Sequence, residues 1–324
     1  MRRSLVLFSM LLCGVMISGG SFAMGKGEDK KAIVLASFGT SYLSALKSIT
    51  TIEDNVKKSF PGATVRVAFT SNIIRKIWHK RRCETKFMRE HGAQYSEFLD
   101  IKGVLATIAD LQDEGYNTIV VQSTHVYSGE EFADLASYIE GLNTIKTIKA
   151  KYMPFKKLVL GRPALGTYGI IHDYHDDLKI GAEALATDVE FARKNGGTLV
   201  YMGHGNEYFS TGIYIEFQQV MRKMYPDVKI YVGTVEGYPS LDDVLNELKG
   251  DKIKKVVLKP MMVVAGDHAN NDMAGEEDDS WKSEIKKLGI DVVPVLKGLG
   301  ESGKWSDIYI QHIKDAIKDN AVDF

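Results

Sequence analysis

The sequence predicts an α/β fold made of two similar Rossmann-like domains, and two observations support this class. Short β-branched runs alternate with longer helical stretches, separated by glycine or Pro/Asp clusters, as expected of βαβ units. The runs also fall into two sets of four with related local motifs, which indicates a tandem duplication of one domain. The predicted strands are Ala32–Phe38, Thr64–Phe69, Thr118–Ser123, Leu158–Leu160, Thr198–Met202, Val228–Val232, Lys255–Leu258 and Asp291–Leu296.

The N-terminus is typical of an export signal. Arg2 and Arg3 precede an apolar stretch from Leu5 to Ile17, and Ser21-Phe22-Ala23 has the small-x-small pattern of a cleavage site. The apolar stretch is too short to span a bilayer, which argues against the alternative of a membrane anchor. We therefore predict a signal peptide over residues 1–23, cleavage after Ala23, and a periplasmic protein with no membrane span after cleavage.

Composition argues against nucleic-acid binding and against a disulfide, and it indicates two domains. The chain has 324 residues with 41 basic and 42 acidic side chains, and removal of the signal leaves 39 basic against 42 acidic. This slight negative charge gives no general attraction to nucleic acid. Cys83 would be the single cysteine of the mature chain, so no intramolecular disulfide can form. A chain of this length exceeds one ordinary core, and two domains are expected.

The duplication sets the predicted domain limits. SFGTSY, from Ser37, aligns with GHGNEY, and VYSGEEF, from Val126, aligns with VVAGDHA. In this overlay Phe38 corresponds to His204, and Glu131 corresponds to His268. We predict an N-terminal α/β domain over 31–170, a C-terminal α/β domain over 171–303 and a terminal amphipathic helix over 304–324 that packs back on the first half.

Two histidines are the main functional candidates because they stand where predicted strands end. His204 lies in LVYMGHGNEY and His268 in VVAGDHANND. Ligands of open parallel sheets bind beyond the carboxyl ends of the strands, so the two imidazoles are expected to converge on one point. Such a pair indicates a metal site or acid/base chemistry. Taken alone, Gly-His-Gly is equally consistent with an anion-binding turn, and His268 with a helix N-cap region.

Two carboxylates at other strand ends are candidates for a third ligand. Glu236, in GTVEGYPS, belongs to the same half as both histidines and is preferred, whereas Glu131, in SGEEF, belongs to the opposite half. Two histidines with one carboxylate suit an exchangeable divalent first-row metal. Because no cysteine contributes, a tight structural zinc site is disfavoured.

Other motifs add little. No P-loop, nucleophile elbow or H-E-x-x-H sequence occurs, which disfavours a phosphate- or nucleotide-dependent enzyme. Surface or capping roles are expected for a further set of histidines. They are His79, His91, His172, His175 and His312.

At several segments the chain resembles a known family, the anaerobic-type sirohydrochlorin cobaltochelatases, or CbiK-like class II chelatases. The matching segments include VLASFGTSY, VVQSTHVYSGEEF, VYMGHG, GTVEGYPS and PMMVVAGDHANNDMAGEEDDSWK, spread over most of the mature chain. The resemblance implies two α/β halves facing across a cleft, in which a tetrapyrrole lies beside a metal-binding site. It also extends to periplasmic members linked to haem or metal handling, but no residue here predicts a haem site.

The resemblance implies roles for the residues already selected. His204, His268 and Glu236 would present Co²⁺, the substrate metal, with Fe²⁺ as the alternative, while His204 and Glu131 would assist deprotonation of the tetrapyrrole. Sirohydrochlorin carries many carboxylates, and its predicted contacts are two hydroxyl donors and two cations. These are Thr40 and Ser41 after the first strand, and Arg75 and Lys76 after the second.

The competing interpretation is an exported carrier that binds haem or a metal ion without turnover. It would also have two α/β lobes with histidines in the cleft. The long matches in AGDHANNDMAG and GTVEGYPS favour the chelatase, sirohydrochlorin cobaltochelatase being a lyase of cobalamin biosynthesis. The expected partners are the tetrapyrrole and a divalent ion, with a homo-oligomer as an open alternative.

The export signal can be tested directly. We expect the periplasmic fraction of expressing cells to contain a chain whose first residue is Met24, because the cleavage pattern ends at Ala23. N-terminal sequencing of the purified protein measures this. Recovery of the uncleaved chain in the membrane fraction would instead favour the anchor.

Overall fold

The computed structural model describes residues 29–167 and 169–321, so the predicted signal peptide lies outside the described residues. A strand is present at each of the eight predicted positions. The strands are β1 (Lys30–Ser37), β2 (Thr64–Phe69), β3 (Tyr116–Ser123), β4 (Lys157–Gly161), β5 (Thr198–Gly205), β6 (Lys229–Glu236), β7 (Lys255–Met261) and β8 (Asp291–Pro294).

The strands form two four-stranded sheets with the same topology. The orders are β2-β1-β3-β4 and β6-β5-β7-β8, and every neighbouring pair is parallel. Strands of the two halves therefore correspond one to one, as a tandem duplication requires. The strand order reverses between β1 and β3 in the first sheet and between β5 and β7 in the second. Loops diverge there and leave a crevice in which ligands of such sheets bind.

Helices connect the strands and cover the sheets. In the first half they are α1 (Leu46–Ser59), α2 (Asn72–Arg81), α3 (Thr85–His91), α4 (Ser96–Leu99), α5 (Val104–Asp113) and α6 (Glu130–Asn143). Next along the chain come α7 (Tyr174–Ala184), α8 (Ala186–Lys194), α9 (Gly212–Met224), α10 (Leu241–Gly250), α11 (Trp281–Lys287) and α12 (Gly303–Asp319). Short 3₁₀ turns span Ala150–Tyr152 and Leu299–Glu301, and a π turn spans Ala269–Met273.

One apolar cluster joins the two halves. It contains Leu35 of the first sheet, Tyr201 of the second, and Trp305 and Ile313 of α12, all buried. Helix α12 packs against α1, β3 and β4, so the terminal helix returns to the first half as predicted. Its Tyr309 hydroxyl donates a hydrogen bond to the Thr124 carbonyl at 2.9 Å. Burial of apolar surface across both halves therefore makes them one packed unit.

Two expectations from composition can be compared with this fold. Among the described residues, no helix is both long enough and apolar enough to cross a membrane. Cys83 is exposed and forms no disulfide in the described part of the chain.

A buried charged network ties the end of β4 to α7 and α12. Arg162 contacts the Asp177 carboxylate through two nitrogens, at 2.7 and 2.9 Å, and Asp315 at 2.7 Å. The His312 ring lies 3.1 Å from Asp177 and is almost fully buried, so its predicted surface or capping role is wrong. The amphipathic pattern of α12 does not reveal the burial of His312, because the polar face that carries this residue packs against Asp177 and not against solvent.

Removing one partner of this network should lower the free energy of unfolding substantially. Burial opposes ionisation of Asp177, but its hydrogen bonds from Arg162 and His312 outweigh that cost and lower its pKa. We expect Asp177→Ala to reduce the free energy of unfolding by about 3–5 kcal/mol, because Arg162 loses its main counter-charge in a buried site. Urea denaturation measures this loss.

The matched control is Asp176→Ala, since Asp176 is an exposed neighbour on the same helix and pairs only with Lys179 at its surface. That change should cost no more than about 0.5 kcal/mol. A lowered folded-state pKa also means that the Asp177 contribution is complete above about pH 4 and disappears as pH falls further. Equal losses in the two variants would contradict the assigned role of the network.

Candidate active site

A cavity of about 970 Å³, including its part open to solvent, lies where the switch points of both sheets meet. Its walls come from the segments after β1 and β3 in the first half and from the ends of β5 and β7 in the second. Most of the lining surface area is apolar, which is typical of small-molecule sites, although many of the lining residues carry a polar group. The polar and charged members are Ser37, Thr40, Ser41, Thr124, His125, Tyr127, Glu131, His204, Tyr214, Asp267 and His268.

His204 lies inside β5, not beyond it as the sequence suggested, because β5 continues pairing with β6 through Gly205. The ring Nδ1 is 2.9 Å from the Gly205 carbonyl oxygen. A carbonyl only accepts hydrogen bonds, so Nδ1 carries the proton of the neutral ring and Nε2 keeps its lone pair. His204 therefore presents a base or ligand atom to the cavity.

The glycines on either side of His204 have steric roles. A Cβ on Gly203 would lie 2.5 Å from Tyr214 Cε1, and a Cβ on Gly205 would lie 1.6 Å from the Glu236 carbonyl oxygen. Gly205 also has a φ of +77°, which side chains rarely adopt. Helix α9 begins only at Gly212, so Gly-His-Gly is not an anion-binding turn at a helix start.

His268 immediately precedes the π turn Ala269–Met273, a rare conformation that occurs frequently at functional sites. Its Nδ1 lies 2.5 Å from the Asp272 carboxylate, four residues further on. The carboxylate accepts a hydrogen bond from Nδ1–H, which fixes the tautomer of the neutral ring and leaves the Nε2 lone pair for a ligand. His268 occupies the N-cap position of this turn, as the alternative allowed, but its side chain makes no capping hydrogen bond and is available to the cavity.

The structure brings the two predicted histidines together. The His204 and His268 ring centroids are 4.8 Å apart and the rings are nearly perpendicular. Phe38, the overlay counterpart of His204, faces it at 6.5 Å. Glu131, the counterpart of His268, lines the same cavity from the first turn of α6, where the helix dipole favours its negative charge.

Glu236 is placed differently from its histidine partners. It is the last residue of β6, in register with Gly205 on β5, and lies outside the cavity lining. Strand β6 is an edge strand, so its end lies away from the switch point between β5 and β7. Among the described residues, no three His, Cys, Asp or Glu side chains are close enough to hold a metal ion. The structure thus assembles two of the three predicted ligands.

The predicted substrate contacts divide into two groups. Thr40 and Ser41 line the cavity. Arg75 does not point a free guanidinium at it, because its Nη1 donates to the backbone carbonyls of Phe69 and Thr70 and its Nη2 to Asn72. Lys76 is exposed on α2. The roles of all four residues in substrate binding remain predictions.

Residues that sequence reasoning did not select also shape the cavity. Asn206 uses Oδ1 to accept the amide protons of Tyr208 and Phe209, so its Nδ2 donates across the halves to the Tyr127 hydroxyl at 2.5 Å. Burial raises the pKa of Tyr127 to about 12, which keeps it protonated. Tyr42 donates a second bond across the halves to Asp267, at 3.0 Å.

His125 is the other omission. It follows β3 in the segment Thr124-His125-Val126-Tyr127 and lines the cavity beside Glu131. The signal was present, since a histidine just past an apolar run is the pattern that selected His204 and His268.

Two parallel sheets of identical order, with an imidazole pair at their shared cavity, define a two-lobed chelatase-type protein. Among solved structures, SirB from Bacillus subtilis with Fe³⁺ has the same fold, with a TM-score of 0.56, 12% identity, and coverage of 91% of this chain and 99% of that one. SirB from the subspecies spizizenii in complex with cobalt gives a TM-score of 0.53 at 11% identity, covering 90% and 97%.

The chain belongs to the cobalt chelatase (CbiK) family, whose profile matches residues 31–318. It is 31% identical over 288 residues to the sirohydrochlorin cobaltochelatase CbiKC of Nitratidesulfovibrio vulgaris, covering 89% of this chain and 91% of that protein. It is 30% identical over 290 residues to the sirohydrochlorin cobaltochelatase of Salmonella typhimurium, covering 89% and 97%. The predicted two-domain fold and the predicted metal chelatase are confirmed.

The role of Gly205 can be tested against a glycine with a similar positive φ. We expect Gly205→Ala to reduce the free energy of unfolding by more than about 3 kcal/mol, since the new Cβ adds a clash with β6 to the left-handed strain of about 1–2 kcal/mol. Gly197 has a φ of +76°, and a Cβ added there would meet no described heavy atom within 4 Å. Gly197→Ala should therefore cost only the strain, and equal losses in urea denaturation would contradict the steric role.

Proposed function

We propose that the protein is a sirohydrochlorin cobaltochelatase, which inserts Co²⁺ into the tetrapyrrole in the cavity between its halves. The observation that carries the proposal is the pair of free Nε2 atoms, on His204 and His268, beside Glu131 in one apolar cavity. The names of the two curated relatives support the same substrate and metal. Fe²⁺ is the alternative metal.

The two histidines belong to one wall and are assigned to the metal. Each ring is held through Nδ1, by the Gly205 carbonyl or by Asp272, so both Nε2 lone pairs are oriented before the ion arrives. We assign the third ligand to Glu236. Since it lies outside the cavity lining, its side chain must turn toward the histidines when the ion binds. Neutral imidazole and carboxylate ligands hold a divalent ion without trapping it.

The opposite wall is assigned to proton removal. Metal insertion requires loss of two pyrrole N–H protons, and a carboxylate or imidazole positioned near the ring accepts them. Glu131 lies on the first half, across the cavity from the histidines. His204 would assist only before the ion binds, because its Nε2 has a single lone pair. The metal would thus approach one face of the macrocycle while protons leave from the other.

The periphery of the substrate is assigned to the other predicted residues. Thr40 and Ser41 supply hydroxyl groups at the cavity wall, suited to the acetate and propionate carboxylates of sirohydrochlorin. Lys76 is exposed and able to reach a carboxylate from α2. Arg75 would contribute only by giving up its bonds to backbone carbonyls.

We also propose that the protein works in the periplasm. The charged and apolar pattern of residues 1–23 supports this, and the role there is either cobalamin synthesis or metal and haem handling.

Loss of either metal-binding histidine should abolish turnover. We expect His204→Ala and His268→Ala to lower the rate of cobalt insertion more than about 100-fold at limiting Co²⁺, because even the outer partners of metal ligands are worth about 10–100-fold. The measurement is an anaerobic absorbance time course with sirohydrochlorin and Co²⁺.

The control is His175→Ala, which removes an exposed imidazole bonded to Asp173, and it should retain the full rate. Unchanged insertion in both cavity variants would refute the metal site. Stoichiometric tetrapyrrole or metal binding by the unaltered protein, without turnover, would identify a carrier.

A further inference from the structure

We propose that His125 accepts a pyrrole N–H proton of the bound macrocycle, and that the charge of Glu131 stabilises the imidazolium. This inference rests on the proposed function and adds a residue to it. Three features of the structure support it, namely a rigid backbone, an unpaired ring nitrogen and the charge beside it.

The backbone around His125 is fixed from several directions. Thr124 donates its amide to the Ala36 carbonyl at 2.9 Å, and the His125 carbonyl accepts from the Ala164 amide at 3.0 Å. The Tyr309 hydroxyl also lies 3.2 Å from the His125 carbonyl. Bonds from β1, from the segment after β4 and from α12 thus converge on this segment. A ring on so rigid a support has a defined position in the cavity wall.

The imidazole has one nitrogen bonded and one unpaired. Nδ1 lies 2.9 Å from the Ser123 hydroxyl, whereas Nε2 is shielded from solvent and has no hydrogen-bond partner among the residues the structure describes. Buried polar atoms are nearly always paired, so an exception requires an explanation. Because His125 lines the cavity, a ligand there is the available partner for Nε2.

The ring is neutral when the cavity is empty. Burial lowers the pKa of His125 to about 4, although the charge of Glu131 acts in the opposite direction. Proton acceptance uses the tautomer in which Nδ1 donates to the Ser123 hydroxyl and Nε2 holds the lone pair. A cationic His125 would repel the incoming ion, and a neutral one does not.

The negative charge of Glu131 determines which group of the substrate can bind at Nε2 of His125. A peripheral carboxylate of the macrocycle would be repelled by Glu131, whereas a pyrrole N–H would not. In the transfer, the pyrrole N–H bond breaks and its electron pair remains on nitrogen to bind the metal. A new N–H bond forms at Nε2, and the charge of Glu131 stabilises the imidazolium.

The test is the pH dependence of cobalt insertion by His125→Gln, with His175→Gln as the exposed control. We expect the maximal rate to fall by about 10²–10⁴-fold at neutral pH, with the KM for Co²⁺ unchanged because His125 is not a ligand. The deficit should shrink as pH rises, because hydroxide then replaces the missing acceptor. Thermal unfolding of the variant identifies any loss due to misfolding.

The outcomes separate the two proposals. If the unaltered protein inserts cobalt and His125→Gln does so equally well, the role of His125 is refuted and the function stands. A deficit that is independent of pH, or one confined to the KM for Co²⁺, also refutes proton acceptance. If the unaltered protein does not turn over, the proposed function fails, and the role of His125 fails with it.

Discussion

The shared apolar cluster is the constraint on which the site depends. Each sheet alone would provide only half a crevice, with the segments after β1 and β3 on one side or the ends of β5 and β7 on the other. Helix α12 packs back on the first half and encloses residues of both sheets in one core. The position of the His204 and His268 rings relative to Glu131 follows from this packing. Catalytic geometry is therefore set by residues that never contact a substrate.

Much of this arrangement could be predicted from the sequence, because strand periodicity and turn glycines are local signals. All eight strands and the meeting of His204 with His268 are of this kind. The exact strand ends were missed, since the pairing that carries β5 through His204 depends on β6. Glu236 was placed with the histidines because chain proximity does not reveal that β6 is an edge strand. His312 was misjudged because its partner, Asp177, is distant in sequence.

Duplication gave the two halves one topology and different chemistry. Positions that correspond in the overlay meet across the cavity, where Phe38 faces His204 and Glu131 shares the lining with His268. At these positions the second half has imidazoles, whose neutral nitrogens can bind a cation. The first half has an aromatic ring and a carboxylate at the same positions. A scaffold with twofold character thus presents different side-chain chemistry from its two walls.

The hydrogen bonds from Asn206 to Tyr127 and from Tyr42 to Asp267 have a further consequence. Both join a segment of one half to a segment of the other, and the common core lies behind them. Wide hinge motion between the lobes would have to break the bonds and expose that core, at a cost far above about 1 kcal/mol per bond. The cavity between the lobes is therefore held from two sides, by these bonds and by the core behind them. A cavity held in this way would select a ligand by its shape before any charged groups are recognised.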